Sequence, residues 1–144
     1  MKAVLSKRAQ RAMENIEVRW QGHVSATISL LETDPCTDMI LKGPPRAQIQ
    51  SIPVEATRDW VPVVHRIKFV DPDSAKETRD KKQIGPYRIF YCVDQEVVFI
   101  AAIDDKGVDP YYPHYLNAML EDYREYKKHN RKKKQNKKTK HKGK

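Results

Sequence analysis

The chain has 144 residues, 28 of them Lys or Arg against 19 Asp or Glu, for a formal net charge of +9. Ten Lys, one Arg and no acid fall in residues 127–144, so residues 1–126 carry the other 17 basic residues against 19 acids and are net −2. The longest apolar run, Val97–Ile103, has seven residues, far short of the roughly 20 a membrane-spanning helix needs, and a first stretch interrupted by Lys7 and Arg8 is not a secretory signal.

Residues 2–5 alternate weakly and are compatible with a strand. Ser6 stands where an N-cap would sit. Ala9, Ala12, Met13 and Ile16 follow at i, i+3, i+4 and i+7, one face of a helix. Trp20, Val24, Ile28 and Leu31 mark a second helix, which Asp34-Pro35 ends because the residue before a proline is pushed out of helical geometry. Between Cys36 and Pro62 prolines break the pattern, with one possible strand at Gln48–Ile52. Val63–Val70 is β-rich and stops at Asp71-Pro72. Residues 71–86 are charged and read as a long hairpin loop.

Tyr87–Val93 and Glu96–Ile103 are strong strand signals joined by Asp94-Gln95, the spacing of a hairpin. After Gly107, Pro113 can occupy the first turn of a last helix, whose face is Leu116, Met119, Leu120 and Tyr123. The expected class is α+β: a small curved antiparallel sheet of an N-terminal strand plus three C-terminal strands, with two N-terminal helices and a C-terminal helix packed on one side. One domain over 1–126, with long insertions near 44–62 and 71–86, is followed by a basic, disordered tail over 127–144.

Cys36 and Cys92 form no CxxC pair, so no disulfide framework or zinc knuckle is expected, a reducing cytoplasm fits, and Cys92 reads as a small core residue. His23, His65, His114, His129 and His141 show no metal-ligand spacing, and there is no phosphate-cradling glycine loop or nucleophile motif. No metal or cofactor is expected. Arg88 interrupts an otherwise apolar strand; alternation alone would place it toward solvent. Arg66 and Lys68 project from one face of their strand, and if that strand pairs with the Arg88 strand, three cations crowd one surface. Such crowding costs a few tenths of a kcal/mol per pair, a repulsion that a polyanion relieves. His65 could donate a proton or cap a sheet edge, and Tyr111 and Tyr112 are by default packing residues.

Several stretches resemble the RelE/ParE superfamily of toxins from toxin–antitoxin pairs. Val4–Ala12 is similar to that family's first strand and helix start, Leu41-Lys42-Gly43 to its "LKG" signature, and Gly85–Asp94 (GPYRIFYCVD) to its "YR" strand. The resemblance covers residues 2–42 and 63–125. Within the superfamily, His65-Arg66-Ile67-Lys68, Arg88, Lys106 and Tyr112 resemble the constellation of the RelE branch, ribosome-dependent messenger-RNA endonucleases. Arg66 and Lys106 exchange the usual basic residue types, which keeps charge but alters phosphate geometry.

That resemblance implies a toxin acting as an mRNA interferase, a metal-independent endoribonuclease in which the 2′-hydroxyl attacks the adjacent phosphorus. Arg66, Lys68 and Arg88 would hold the scissile phosphate, Tyr112 would serve as base, and Lys106 or Arg88 would assist the leaving oxygen. It also implies messenger RNA, the ribosome and a cognate antitoxin as partners. Lys127, Lys128, Arg131, Lys132, Lys133 and Lys134 in the tail are candidate RNA-binding residues. The alternatives are a ParE-like inhibitor of DNA gyrase and a catalytically silent RNA- or ribosome-binding protein.

Overall fold

The computed structural model describes residues 1–35, 37–74, 81–105 and 113–142, with the side chains of 113 and 132–142 left undescribed. In chain order the elements are β1 (Lys2–Leu5), α1 (Lys7–Glu14), α2 (Val18–Thr33), β2 (Ile40–Leu41), β3 (Ala47–Pro53), a 3-10 turn (Glu55–Thr57), β4 (Val64–Val70), β5 (Gln83–Val93), β6 (Val97–Asp105) and α3 (Pro113–Lys142). One sheet takes all the strands in the order β1-β6-β5-β4-β3-β2.

Local signals act where their chemistry requires. The Ser6 hydroxyl accepts from the Ala9 amide at 3.0 Å, capping α1. It also donates at 2.7 Å to the carbonyl of Ala101, which falls where the β5–β6 register shifts between Phe90/Ala102 and Tyr91/Ile100. One hydroxyl thus uses donor and acceptor together, satisfying a helix end and a carbonyl that the bulge displaces. Asp34 terminates α2 in an extended conformation ahead of Pro35.

The α+β layout stands, with three departures from the expected form. There are six strands, not four: the proline-rich stretch contributes β2 and β3, and β5 begins at Gln83, inside the expected loop. The sheet is mixed, because β1 runs parallel to β6 while the other pairs are antiparallel. The helices also cover both faces. Trp20, Val24 and Leu31 pack with Ile67, Phe69, Ile89 and Tyr91 on one side. Leu116 and Met119 of α3 pack with Val64, Phe90, Cys92 and Phe99 on the other. Every residue from Val97 to Ile103 is buried, as a continuous apolar strand must be when it is covered on both faces.

Gly85 positions the working part of β5. Its φ is +76°, and a Cβ there would lie 2.4 Å from the Trp20 ring. Only glycine lets the strand cross the indole this closely, three residues before Arg88. No described helix is long and apolar enough to cross a membrane.

At the C-terminal end, helical backbone runs from Pro113 to Lys142. The reason is visible at the helix's inner turns. Tyr123 and Tyr126 pack on Phe99, and Lys127 forms ion pairs with Asp94 at 3.0 Å and Glu96 at 3.3 Å. Those contacts nucleate a helix that then extends by propagation, the inexpensive step.

Candidate functional site

Strand register decides whether the three cations meet. Lys68 of β4 lies directly opposite Arg88 of β5, and Arg66 lies opposite Phe90. On either side, Gln50 of β3 pairs with Lys68 and Asp104 of β6 pairs with Arg88. Gln50, Lys68, Arg88 and Asp104 therefore form one cross-strand row, with Ile52, Arg66, Phe90 and Ala102 as the next. Residues paired across strands share a face, and Phe90 belongs to the α3 side. The cations stand on that face, beyond the apolar contact of α3, and all three are half-buried.

A negative charge closes the row. Burial pushes the Asp104 carboxyl above the usual carboxylate range, Arg8 and Arg88 oppose that rise, and Asp105 adds to it. Its Oδ2 is buried and makes no hydrogen bond among the described residues. Arg8 reaches this region from α1, lying 3.7 Å from Asp122 and 5.8 Å over the Tyr115 ring. Helical periodicity assigned Arg8 to the outer face of α1. Arg8 is exposed, as that periodicity expects, and only the docking of α1 beside β6 and α3 brings this outer-face residue to Asp122, Tyr115 and Asp104.

Other candidates separate from the cluster. His65 points to the opposite face, where it stacks on Tyr91 at 5.2 Å, and burial lowers its pKa. It cannot serve a phosphate held at Lys68 and Arg88, because the period-2 alternation of β4 puts the sheet between them. Lys127 is committed to the β5–β6 turn, with its side chain 21% exposed, so it is a fold-anchoring lysine. Lys128 and Arg131 are exposed on α3, while for Lys132, Lys133 and Lys134 only helical backbone is described. Lys106, Tyr111 and Tyr112 lie outside the described residues.

The Asp94 turn fixes the far end of β5. Asp94 Oδ1 accepts from the amides of Glu96 at 2.7 Å and Val97 at 2.8 Å, and Oδ2 accepts from the Tyr123 hydroxyl at 2.7 Å. Burial alone would raise this carboxyl. The donors from Tyr123, the two amides and Lys127 outweigh it and hold the group well below the usual carboxylate range. Cys92, one strand position inside, is buried, and its thiol is pushed up to about 12 by desolvation and by Asp94. It is a core residue and no nucleophile.

A cleft of about 510 Å³ opens elsewhere, between α1 and α3, lined by Lys7, Gln10, Phe99, Glu125 and His129 among others. Arg66, Lys68 and Arg88 are not among its lining residues. The cationic row is a strip of sheet surface, a shape that suits a polymer better than a small molecule. Chemically, the two guanidinium groups can each grip a phosphate through parallel N–H donors, while the ammonium supplies a point charge between rows.

No protein family model matches the chain, and neither the curated proteins nor the solved structures contain a match. What the strip can do is therefore read from its own residues.

Proposed function

We propose that the protein is an endoribonuclease of the toxin type, cleaving messenger RNA in the cytoplasm and held inactive by a cognate antitoxin. One observation carries the reading: Lys68 stands directly across from Arg88, with Arg66 in the next row, on the α3-side face of the sheet between Gln50 and Asp104. Like charges directly opposite repel, and a phosphodiester laid along these rows would bring negative charge beside all three cations.

Arg66, Lys68 and Arg88 bind the scissile phosphate and stabilise the charge that grows on its oxygens as the 2′-hydroxyl attacks. In this reading Tyr112 takes the hydroxyl proton and Lys106 assists the leaving 5′-oxygen, roles that come from the motif resemblance. The product is a 2′,3′-cyclic phosphate. Mapping of message 5′ ends after brief induction tests it. Cuts within translated frames that vanish with Arg88→Ala and with Tyr112→Phe are expected; undiminished cutting by both variants would overturn it.

A second reading has its own observation, the acid-free basic segment that follows Tyr126. A binding module that neutralises ribosomal RNA phosphates through this helix would associate without cutting. The same mapping separates the two, since a silent module leaves message ends unchanged.

A further inference from the structure

Asp104 is out of place in a strip that binds phosphate. It ends the row Gln50, Lys68, Arg88, Asp104, and as a carboxylate it would repel the ligand that its neighbours attract. We propose that Asp104 is a proton-coupled residue of the RNA-binding strip: occupancy of the Arg88 position by a phosphodiester draws one proton from solvent onto Asp104, which removes the charge that would repel the ligand. This rests on the endoribonuclease reading of the strip and adds to it a proton coupled to binding.

Three features support it. Asp104 Oδ2 is buried and makes no hydrogen bond among the described residues, so no donor there holds the carboxylate form, and the strand register sets the residue directly across from Arg88. The charged groups acting on it are Arg8 from α1, Arg88 from β5 and Asp105 from its own strand, with Asp122 of α3 engaging Arg8 on its far side. In the unliganded protein the two arginines favour the carboxylate; a bound phosphate neutralises Arg88 and adds its own negative charge, and both changes favour the acid. Burial already biases the group in that direction.

The coupling has a sign. If the bound state holds the extra proton, affinity falls as pH rises, by up to about tenfold per pH unit. Isothermal titration of a 2′-O-methyl RNA oligomer, which cannot be cleaved, into the full-length chain reads both affinity and proton uptake when buffers of different ionisation heat are compared. At pH values above the carboxyl's pKa in the free protein and below its pKa in the complex, wild type should take up close to one proton per oligomer bound, and less on either side of that window. Asp104→Asn, which is neutral at every pH, should lose that uptake, flatten the profile and bind at pH 8 at least as tightly as wild type.

Arg88→Ala should weaken binding throughout. In parallel, the side-chain carboxyl of Asp104 in wild type, followed by carbon-13 NMR, should shift toward the protonated form on adding the oligomer, a readout that needs no folded variant. If Asp104→Asn keeps the wild-type slope and uptake while Arg88→Ala still loses affinity, the proton coupling is wrong and the phosphate strip survives. If Arg88→Ala binds as wild type does, both fall.

Discussion

The Tyr123 hydroxyl donates to Asp94 Oδ2 at 2.7 Å, and through that bond the last helix is fastened to the turn between β5 and β6. The same carboxylate caps the turn amides and pairs with Lys127. One side chain thus fixes the hairpin and the helix that roofs one face of the sheet.

Asp94→Ala should therefore destabilise the fold by about 3 kcal/mol, as several charge-assisted hydrogen bonds are lost together. Urea denaturation midpoints measure it. The pH dependence follows from direction. The folded carboxyl is depressed, so the unfolded chain binds the proton more readily, and this stabilisation is present above about pH 4 and lost as pH falls. Burial and Asp94 raise the Tyr123 hydroxyl, so its contribution is present below about pH 10 and lost as pH rises through the folded value. Asp94→Asn should flatten the acid limb of the stability profile.

Gly85→Ala combines a left-handed φ with a Cβ 2.4 Å from the Trp20 ring. Strain and overpacking together should cost about 3 kcal/mol, and the indole cannot yield because Trp20 is buried among core side chains. Thermal denaturation should show the loss directly, and trimming the indole with Trp20→Phe in the same chain should restore part of it.

For the strip, Lys68→Ala should reduce cleavage by about 100-fold, in line with removing one preorganised donor from a developing oxyanion. Stability should change by less than about 1 kcal/mol, because the side chain is only half-buried and stands directly across from the like charge of Arg88. A parallel assay of cleavage rate and denaturation midpoint checks both. A large stability loss with unchanged cleavage would make Lys68 structural.

Truncation divides the basic segment by role. Removing residues 132–144 takes away eight lysines but leaves the Lys127 ion pairs, so the fold should keep its stability while the salt dependence of RNA binding flattens by up to about 5 in log–log slope. Ending the chain at Tyr126 also removes the Lys127 contacts to Asp94 and Glu96 and should cost about 1 kcal/mol in stability. Salt titration of binding beside denaturation separates the two truncations.

Several elements were legible because their cause is local. Ser6 caps α1, Asp34-Pro35 stops α2, and Asp94-Gln95 turns the β5–β6 hairpin, each from the chemistry of one or two adjacent residues. The apolar faces of α2 and α3 followed from periodicity. The strand content of residues 36–62 was only partly visible, since β2 has two residues and needs β3 beside it to exist at all. That the sheet is covered on both sides was written in the unbroken apolar run Val97–Ile103, but the helices that cover it were assigned to one side because periodicity says which face a helix buries and not against what.

The sequence by itself determined that Arg66 and Lys68 share a face, since strand geometry repeats every two residues. It equally determined that the whole net positive excess lies after Tyr126. Only the tertiary structure decided that Lys68 meets Arg88, that Asp104 ends their row, that Arg8 reaches it from α1, and that Lys127 is spent on the Asp94 turn. These relations join residues from 16 to 96 positions apart in the chain, and nothing in local propensity encodes them. They are set by register and by helix docking, which answer to the packing of the whole core.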